Sequence, residues 1–253
     1  VDKELDVIAR PMGSKIELTL VYPFYNNRIC LERQLEFWTR LPRELAERIE
    51  ILMVDDGSPQ PAVVPANFPN NLTCLRAKED IPWNQPGARN LGLKLAEGEW
   101  AIASDIDHLL NAEGLKKILS LDKNSGTVYF FSRRREDGSA RSPHPNSFLI
   151  SRKMFWDVGG YDEDFCGHYG YDDSFLRLRL ERSCRILLLP EPTLVELDCG
   201  ATPGLSRSRR RNRRLLKKKR RLLHRGKYKN GRTVRFEWEL AGRWRMDYRH
   251  QPR

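Results

Sequence analysis

Long apolar runs are missing from this sequence of 253 residues. No stretch approaches the roughly 18–20 apolar residues that a bilayer-crossing helix needs. The opening Val1-Asp2-Lys3-Glu4 lacks the basic start and apolar centre of a signal peptide. The expectation is a soluble, cytoplasmic chain, peripheral at a membrane at most. Cysteine is also sparse: Cys30, Cys74, Cys166, Cys184 and Cys199 are odd in number, widely spaced and contain no Cys-x-x-Cys. That disfavours a disulfide framework or a zinc site, and a reducing compartment is the simpler reading. Internal repeats are absent. Acidic residues are absent from one long segment, Arg207 to Arg225, which holds 12 Lys and Arg. Removing those 12 from the 45 Lys and Arg leaves 33 against 34 acids, so the net charge of +11 belongs to one segment and not to the whole chain.

Enough is present to build a core. Hydrophobic residues make up 40%, with 6 Trp, 10 Phe and 8 Tyr, which excludes wholesale disorder. After a polar lead-in over 1–14, the nearly continuous apolar run from Ile16 to Tyr22 predicts a buried strand, ended by Pro23. An amphipathic helix follows the Phe24-Tyr25-Asn26-Asn27 loop, with Ile29, Leu31, Leu35, Trp38 and Leu41 on one stripe. Ile49 to Val54 predicts a second buried strand, Leu72 to Arg76 a third, and Pro86-Gly87 opens a helix reaching about Glu97. Further helices are expected from Asn111 or Ala112 to Leu121, Arg152 to Val158, and Asp172 to about Glu181. Thr127–Phe131, Ser147–Ile150, Arg185–Leu189 and Thr193–Leu197 read as strands, and Arg133 to Pro145 as a mobile charged loop. Strands alternating with helices through residue 122 predict βαβ units and a mostly parallel sheet with a mixed remainder.

The chemistry-bearing stretch is Trp100-Ala101-Ile102-Ala103-Ser104-Asp105-Ile106-Asp107, an apolar strand-length run ending in two carboxylates. In an extended chain, positions i and i+2 face one side, so Asp105 and Asp107 can share a small volume. Two hard oxygen ligands suit Mg²⁺ or Mn²⁺ and leave coordination sites for phosphate oxygens. Alone, the pattern equally describes a solvated turn. Asp55-Asp56-Gly57-Ser58 at the end of the second strand sits where open α/β sheets bind ligands, though Asp-Gly before Pro also simply makes a turn. Arg89, in the first helical turn, opposes the helix dipole and so suits a nearby anion.

Val21-Tyr22-Pro23-Phe24-Tyr25-Asn26, Val54-Asp55-Asp56-Gly57-Ser58, Gly87-Ala88-Arg89-Asn90-x-Gly92 and Ser104-Asp105-Ile106-Asp107 together resemble family-2 glycosyltransferases of the GT-A fold, in order and in spacing. Gly159-Gly160-Tyr161-Asp162-Glu163-x-Phe165 to Gly170-Tyr171-Asp172-Asp173 is similar to the acceptor-side motif of β-1,4-galactosyltransferases and polypeptide N-acetylgalactosaminyltransferases. The similarity covers about residues 16–200. It implies an α/β, Rossmann-like GT-A sheet, mixed but mostly parallel and flanked by helices, over 1–205, with a basic helical extension over 206–253.

The resemblance also implies roles. Tyr22, Pro23, Phe24, Asp55 and Asp56 would hold the uracil and ribose of a UDP-sugar, with Arg89 and Ile106 beside the nucleotide. Asp105 would meet the ribose, sugar or metal, and Asp107 would bind Mn²⁺ or Mg²⁺. Asp172 would be the general base of an inverting transfer to a glycan or glycoconjugate hydroxyl, and Asp173 would bind acceptor hydroxyls. By itself, Asp172 equally suits a helix N-cap. Trp83, Tyr169 and Tyr171 would stack on sugar faces. Galactose or N-acetylgalactosamine is preferred on the acceptor-side motif alone. Relatives often add a late histidine to the metal; here Asp198, His224 or water would substitute, and His168, the other candidate near the site, reads rather as a loop or acceptor-side residue.

For Ser206 to Arg225 the sequence leaves four readings: a solvated helix docked by Leu215, Leu216, Leu222 and Leu223; a basic loop closing over the diphosphate; contact with anionic lipid or a charged glycan; and nucleic-acid binding. The last is least favoured, because no recognition module accompanies the charge. A non-catalytic protein acting through this segment on nucleic acid or an anionic membrane is the rival function. Val234 to Trp238, Trp244 and Tyr248 are expected to pack back on the domain.

Overall fold

The computed structural model describes residues 16–200 and 205–246. The lead-in over 1–14 and Tyr248 lie outside them. The first strand, β1 (Leu18–Phe24), is buried over its whole length, as an apolar run covered on both faces should be. It pairs in parallel with β2 (Ile49–Asp55) on one side and β4 (Trp100–Ala103) on the other, and β2 pairs in parallel with β3 (Leu72–Ala77). The chain thus winds from β1 outward to β3, then returns to the opposite side of β1. That reversal makes the carboxyl ends of β1 and β4 a topological switch point, where open α/β sheets leave a crevice.

Pro23 lies inside β1 and does not end it. The Val21 carbonyl accepts from Ser104 N, so this parity of β1 faces β4. Pairing with β4 stops at Val21, so the missing Pro23 N–H deprives no partner.

Helices α1 (Arg28–Thr39), α2 (Arg43–Ala46), α3 (Gln85–Leu95) and α4 (Ala112–Ser120) connect and cover these strands. Trp38 of α1 packs beneath Tyr22 with ring centroids 5.2 Å apart. On the other face α3 lies close to the sheet: a Cβ on Gly92 would fall 2.4 Å from Val21 Cγ1. The mixed half follows, with β5 (His108–Leu109), β6 (Thr127–Arg135), β7 (Ala140–Arg141), β8 (Phe148–Ser151), α5 (Arg152–Asp157), α6 (Asp172–Ser183) and β9 (Arg185–Glu196). The last elements are α7 (Arg210–His224) and β10 (Trp238–Trp244). One ten-stranded sheet runs β10-β3-β2-β1-β4-β8-β6-β9-β5, with β7 beside β6. The basic extension therefore supplies an edge strand, antiparallel to β3, to the same sheet.

Four local expectations need correction. Arg133 to Pro145 is not a mobile loop at its start: β6 continues to Arg135 and turns back through β7, with Arg133 opposite Arg141. The strands expected over 185–189 and 193–197 are one strand, β9, with an irregular register opposite Phe131 and Ser132. Cys30 and Cys199 are disulfide-bonded, Cα atoms 5.4 Å apart, against the expectation of unpaired thiols; partners 169 residues apart carry no spacing signal.

The fourth concerns α7, whose buried residues are Asn212 and Lys219, seven apart, and not its four leucines. Asn212 Nδ2 donates to the carbonyls of Phe165, His168 and Gly170 at 2.7–3.0 Å. Lys219 Nζ lies 2.6 Å from both the Asp162 and the Asp164 carboxylates. The leucines flank these polar anchors half-buried.

Candidate active site

Two adjoining cavities open at the switch point. The larger, about 400 Å³, is bounded by Trp83, His144, Tyr169, Asp172, Asp173 and Arg209, among others. The smaller, about 160 Å³, is lined by Pro23, Tyr25, Asn27, Asp56, Ile106 and Leu205, among others. Trp83, Gln85, Asp105, Asp107 and Arg207 border both. The two carboxylates therefore stand on the divide between them.

Strand geometry is not what brings these carboxylates together. β4 ends at Ala103, and His108 N closes a turn on the Asp105 carbonyl at 3.0 Å. The turn is held from below by Gln34, fully buried in α1, whose Nε2 donates to the Ile106 and His108 carbonyls. Asp105 is pinned by the Arg89 guanidinium, which is wholly buried, and faces His144 Nδ1 at 3.4 Å. Burial alone would raise the Asp105 carboxyl, but Arg89, then His144 and His108, bring it down to about 2.

Asp107 has the opposite environment. Burial, then the neighbouring Asp105 charge, pushes its carboxyl up to about 6. Its Oδ1 is buried without a hydrogen-bond partner among the described residues, with His108 Nδ1 4.0 Å away. A half-exposed, repelled carboxylate with one buried and unsatisfied oxygen has the chemistry of a cation ligand.

Histidine completes this set. Asp105, His108 and His144 offer ligand atoms that all lie within 4.8 Å of one another. Burial lowers the His144 imidazole, favouring the neutral form that a metal requires. His108 is already engaged at both nitrogens, by Ser147 Oγ at 2.9 Å and Arg133 Nη1 at 3.2 Å, so it supports the site from behind. The residues present thus fit a divalent ion beside Asp105 and His144, with the unsatisfied Asp107 oxygen next to the same cluster, 4.0 Å from His108; carboxylate oxygens of this kind suit Mn²⁺ or Mg²⁺. Of the alternatives named from sequence, neither Asp198 nor His224 joins this cluster among the described residues. Asp198 is exposed and its backbone N–H donates to Glu136, and His224 meets Arg182 at the end of α7. No sequence signal marked His144, a lone histidine in a Pro-flanked loop.

The other expected residues divide. Pro23 and Asp56 line the smaller cavity, but Tyr22 and Phe24 are buried in the core, because strand alternation sends both away from Pro23. Asp55 is also internal: it accepts from Ser58 N, Ala62 N and Arg76 Nη1 at 2.6–2.9 Å and so shapes the turn that presents Asp56. Gly57, at φ +73°, must be glycine there, since a Cβ would fall 2.3 Å from the Glu79 carbonyl oxygen. Burial raises the Asp56 carboxyl well above its ordinary value, against the Asn84 hydrogen bond at 2.8 Å.

Helix α3 joins the Asp105 turn to the loop that precedes α6. Arg89 holds Asp105, while Asn90 exchanges hydrogen bonds with the Tyr161 backbone at 2.8 and 2.9 Å and donates to Glu163. Asp172 and Asp173 are the first two residues of α6, and the N-cap is Tyr171, at φ +70°. Asp172 is therefore not the cap. Burial, then repulsion from Asp173, pushes its carboxyl up to about 6. Asp173 accepts from Ser174 N and Oγ. Trp83, also at positive φ (+53°), packs on Tyr169 with centroids 4.5 Å apart and donates from Nε1 to the Ser206 carbonyl. Left-handed backbone at Trp83 and Tyr171, both bordering the larger cavity, is strain of the kind that concentrates at functional sites. Sequence reasoning did not single out Tyr25, Asn27 and Gln85 as lining residues.

Comparison with known proteins agrees with this geometry. Residues 19–176 match the family described as Glycosyl transferase family 2. An uncharacterized glycosyltransferase of Haemophilus influenzae is 26% identical over 115 residues, 45% of this chain and 37% of that protein. The S. aureus TarS 1-349 structure in complex with UDP-GlcNAc superposes with a TM-score of 0.61 at 16% identity, over 74% of this chain and 60% of that one. The mannosyltransferase PcManGT from Pyrobaculum calidifontis, in complex with GDP-Man and Mn²⁺, gives 0.53 at 16% identity over 90% and 72%. GalNAc-T7 with UDP, GalNAc and Mn²⁺ gives 0.57 at 16% identity over 76% and 45%. The chain thus spans well under two thirds of the curated relative and somewhat under two thirds of TarS 1-349. These structural likenesses establish a shared GT-A fold.

Proposed function

The chain belongs to glycosyl transferase family 2, and from that membership we propose that it moves a sugar from a UDP-sugar to a hydroxyl of a glycan or glycoconjugate, with a divalent ion and inversion at the anomeric carbon. The observation that carries this reading is the placement of Asp105 and Asp107 between two cavities, with the unsatisfied Asp107 oxygen at the divide and Asp172 across the larger one. The smaller cavity, with Pro23, Tyr25 and Asp56, takes the nucleoside. The larger takes the sugar and acceptor.

Asp172 accepts the proton of the acceptor hydroxyl as its oxygen attacks the anomeric carbon. The bond to the diphosphate breaks on the opposite face, and UDP departs with the electron pair. A carboxylate pushed up to about 6 is a stronger base than an ordinary one and is still ionised at neutral pH. When bound, the ion stabilises the negative charge gathering on the departing diphosphate. Arg207, bordering both cavities, faces the same charge. UDP as carrier is supported by the TarS and GalNAc-T7 complexes, while PcManGT holds GDP-Man on the same fold. Galactose or N-acetylgalactosamine stays the preferred sugar on the acceptor-side motif. Thermal melts with UDP and Mn²⁺ test the reading, followed by a UDP-sugar hydrolysis screen. UDP with Mn²⁺ should raise Tm, and Asp107→Ala should abolish the rise. Indifference to every nucleoside diphosphate with metal would sink the proposal.

A further inference from the structure

Helix α7 presents two unlike faces. Asn212 and Lys219, with Leu215, Leu216, Leu222 and Leu223 around them, lie against the protein. At 100° per residue, Arg210, Arg214, Lys217, Lys218, Arg221 and Arg225 fall on the opposite side. All six are exposed, and none pairs with a carboxylate among the described residues. The helix rises about 22 Å over its 15 residues.

Its orientation gives this charge a role. The residue before its first turn, Arg209, lies 5.2 Å over the Tyr169 ring and lines the larger cavity beside Asp173. Its far end, Leu223 and His224, meets Arg182 near the end of α6, whose first residue is Asp172. The two helices therefore run side by side away from the acceptor end of the cavity. The cationic stripe begins where an acceptor chain would emerge.

On the glycosyltransferase reading above, we propose that the acceptor is an anionic glycan chain, bearing carboxylate, sulfate or phosphodiester groups, which leaves the cavity past Tyr169 and Arg209 and lies along the exposed face of α7. A membrane surface fits this helix less well. An interfacial helix needs an exposed apolar face to bury. Here the apolar side is turned to the protein, and the exposed large hydrophobics among the described residues, Ile29, Val63, Leu188 and Leu240, are all elsewhere. A chain of repeating negative charge needs only the cations, in register along the stripe, and its affinity falls as salt screens them.

The test uses the full chain and the variant Arg214→Gln/Lys217→Gln/Lys218→Gln/Arg221→Gln, all four outside the cavities. The probes are labelled oligosaccharides of equal length: alginate (carboxylate), sulfated galactan, glycerol phosphate oligomers and neutral maltooligosaccharides. Phosphatidylglycerol vesicles and a single-stranded oligonucleotide of matched charge are measured in parallel. At least one anionic glycan should bind tenfold or more tighter than the neutral one at 50 mM NaCl, and lose that advantage at 300 mM. The variant should lose it too, with KM for the anionic acceptor up at least tenfold, kcat held, and donor hydrolysis and Tm unchanged. Equal binding of charged and neutral glycans, an unaffected variant, or tighter binding of vesicles or oligonucleotide than of every glycan overturns the proposal. Donor hydrolysis separates the two readings. If it persists while acceptor charge is irrelevant, only this inference fails; if wild type shows none and binds no UDP with metal, the enzymatic reading fails and this one with it.

Discussion

Asp172→Asn is expected to raise the protein's stability at neutral pH while removing transfer. The Asp172 carboxyl stands at about 6 in the folded state against an ordinary 3.8, because burial and then Asp173 disfavour its charge. Below about pH 4 the group is protonated in folded and unfolded chains alike and costs nothing. Between about 4 and 6 the folded chain binds more protons, so stability falls as pH rises, and above 6 the whole penalty is present. At about 1.4 kcal/mol per pH unit the ceiling is about 3 kcal/mol. Asp172 is half-buried beside the open cavity, so solvent screening reduces this to about 1–2 kcal/mol. For a chain of this size that is a rise of about 2–8 °C in Tm. Paired melts at pH 7.5 and pH 4.5, without metal, read it directly: the variant should melt higher at pH 7.5, and the gap should shrink to about a third of that at 4.5. Donor binding should persist while kcat/KM for transfer drops about 10²–10⁴-fold, and the wild-type kcat/KM profile should fall below about pH 6. A variant that is destabilised at pH 7.5 refutes the burial argument, and one that retains transfer refutes the assignment of Asp172 as base.

Gly57→Ala should cost more than about 2 kcal/mol, since the left-handed backbone and the Glu79 carbonyl 2.3 Å from the new Cβ both oppose it. UDP affinity should fall with stability as the Asp56 turn shifts, and an unchanged melt refutes the close approach. Lys219→Ala removes the cation between Asp162 and Asp164 and should cost about 3–5 kcal/mol. Amide exchange over 210–224 should speed up more than exchange over β1 or β2; uniform exchange would mean that Lys219 does not anchor α7. Reducing the Cys30–Cys199 bridge, or Cys30→Ser, releases a link across 169 residues and should lower stability by about 2–4 kcal/mol; chemical denaturation with and without reductant measures it.

Much of the sheet was legible because apolar continuity is a local property. Leu18 to Tyr22, Ile49 to Val54 and Trp100 to Ala103 carry their burial in their own composition, and the alternation with helices predicts parallel pairing. The misreadings fall where a distant partner decides. Pro23 is tolerated in β1 because β4 stops short of it, and Arg133 continues β6 because Leu194 of β9 lies on one side and Arg141 on the other. The leucines of α7 promised an apolar seam, but the surface offered to that helix is three carbonyls and two carboxylates, which Asn212 and Lys219 satisfy.

By itself the sequence determined that an α/β sheet would form, that carboxylates would gather after its second and fourth strands, and that the positive charge would lie in one segment. Those are matters of local pattern, and the order of the motifs carried the family with them. Only the tertiary structure decided which carboxylates face the crevice. Asp55 is spent on its own turn and on Arg76, whereas Asp56 lines a cavity. Asp105 and Asp107, two residues apart, are driven in opposite directions by Arg89 on one side and burial on the other. His144 joins them from a loop some forty residues away. Ionisation and ligation depend on what surrounds a side chain in space, and chain order does not encode that for a group whose neighbours come from other elements.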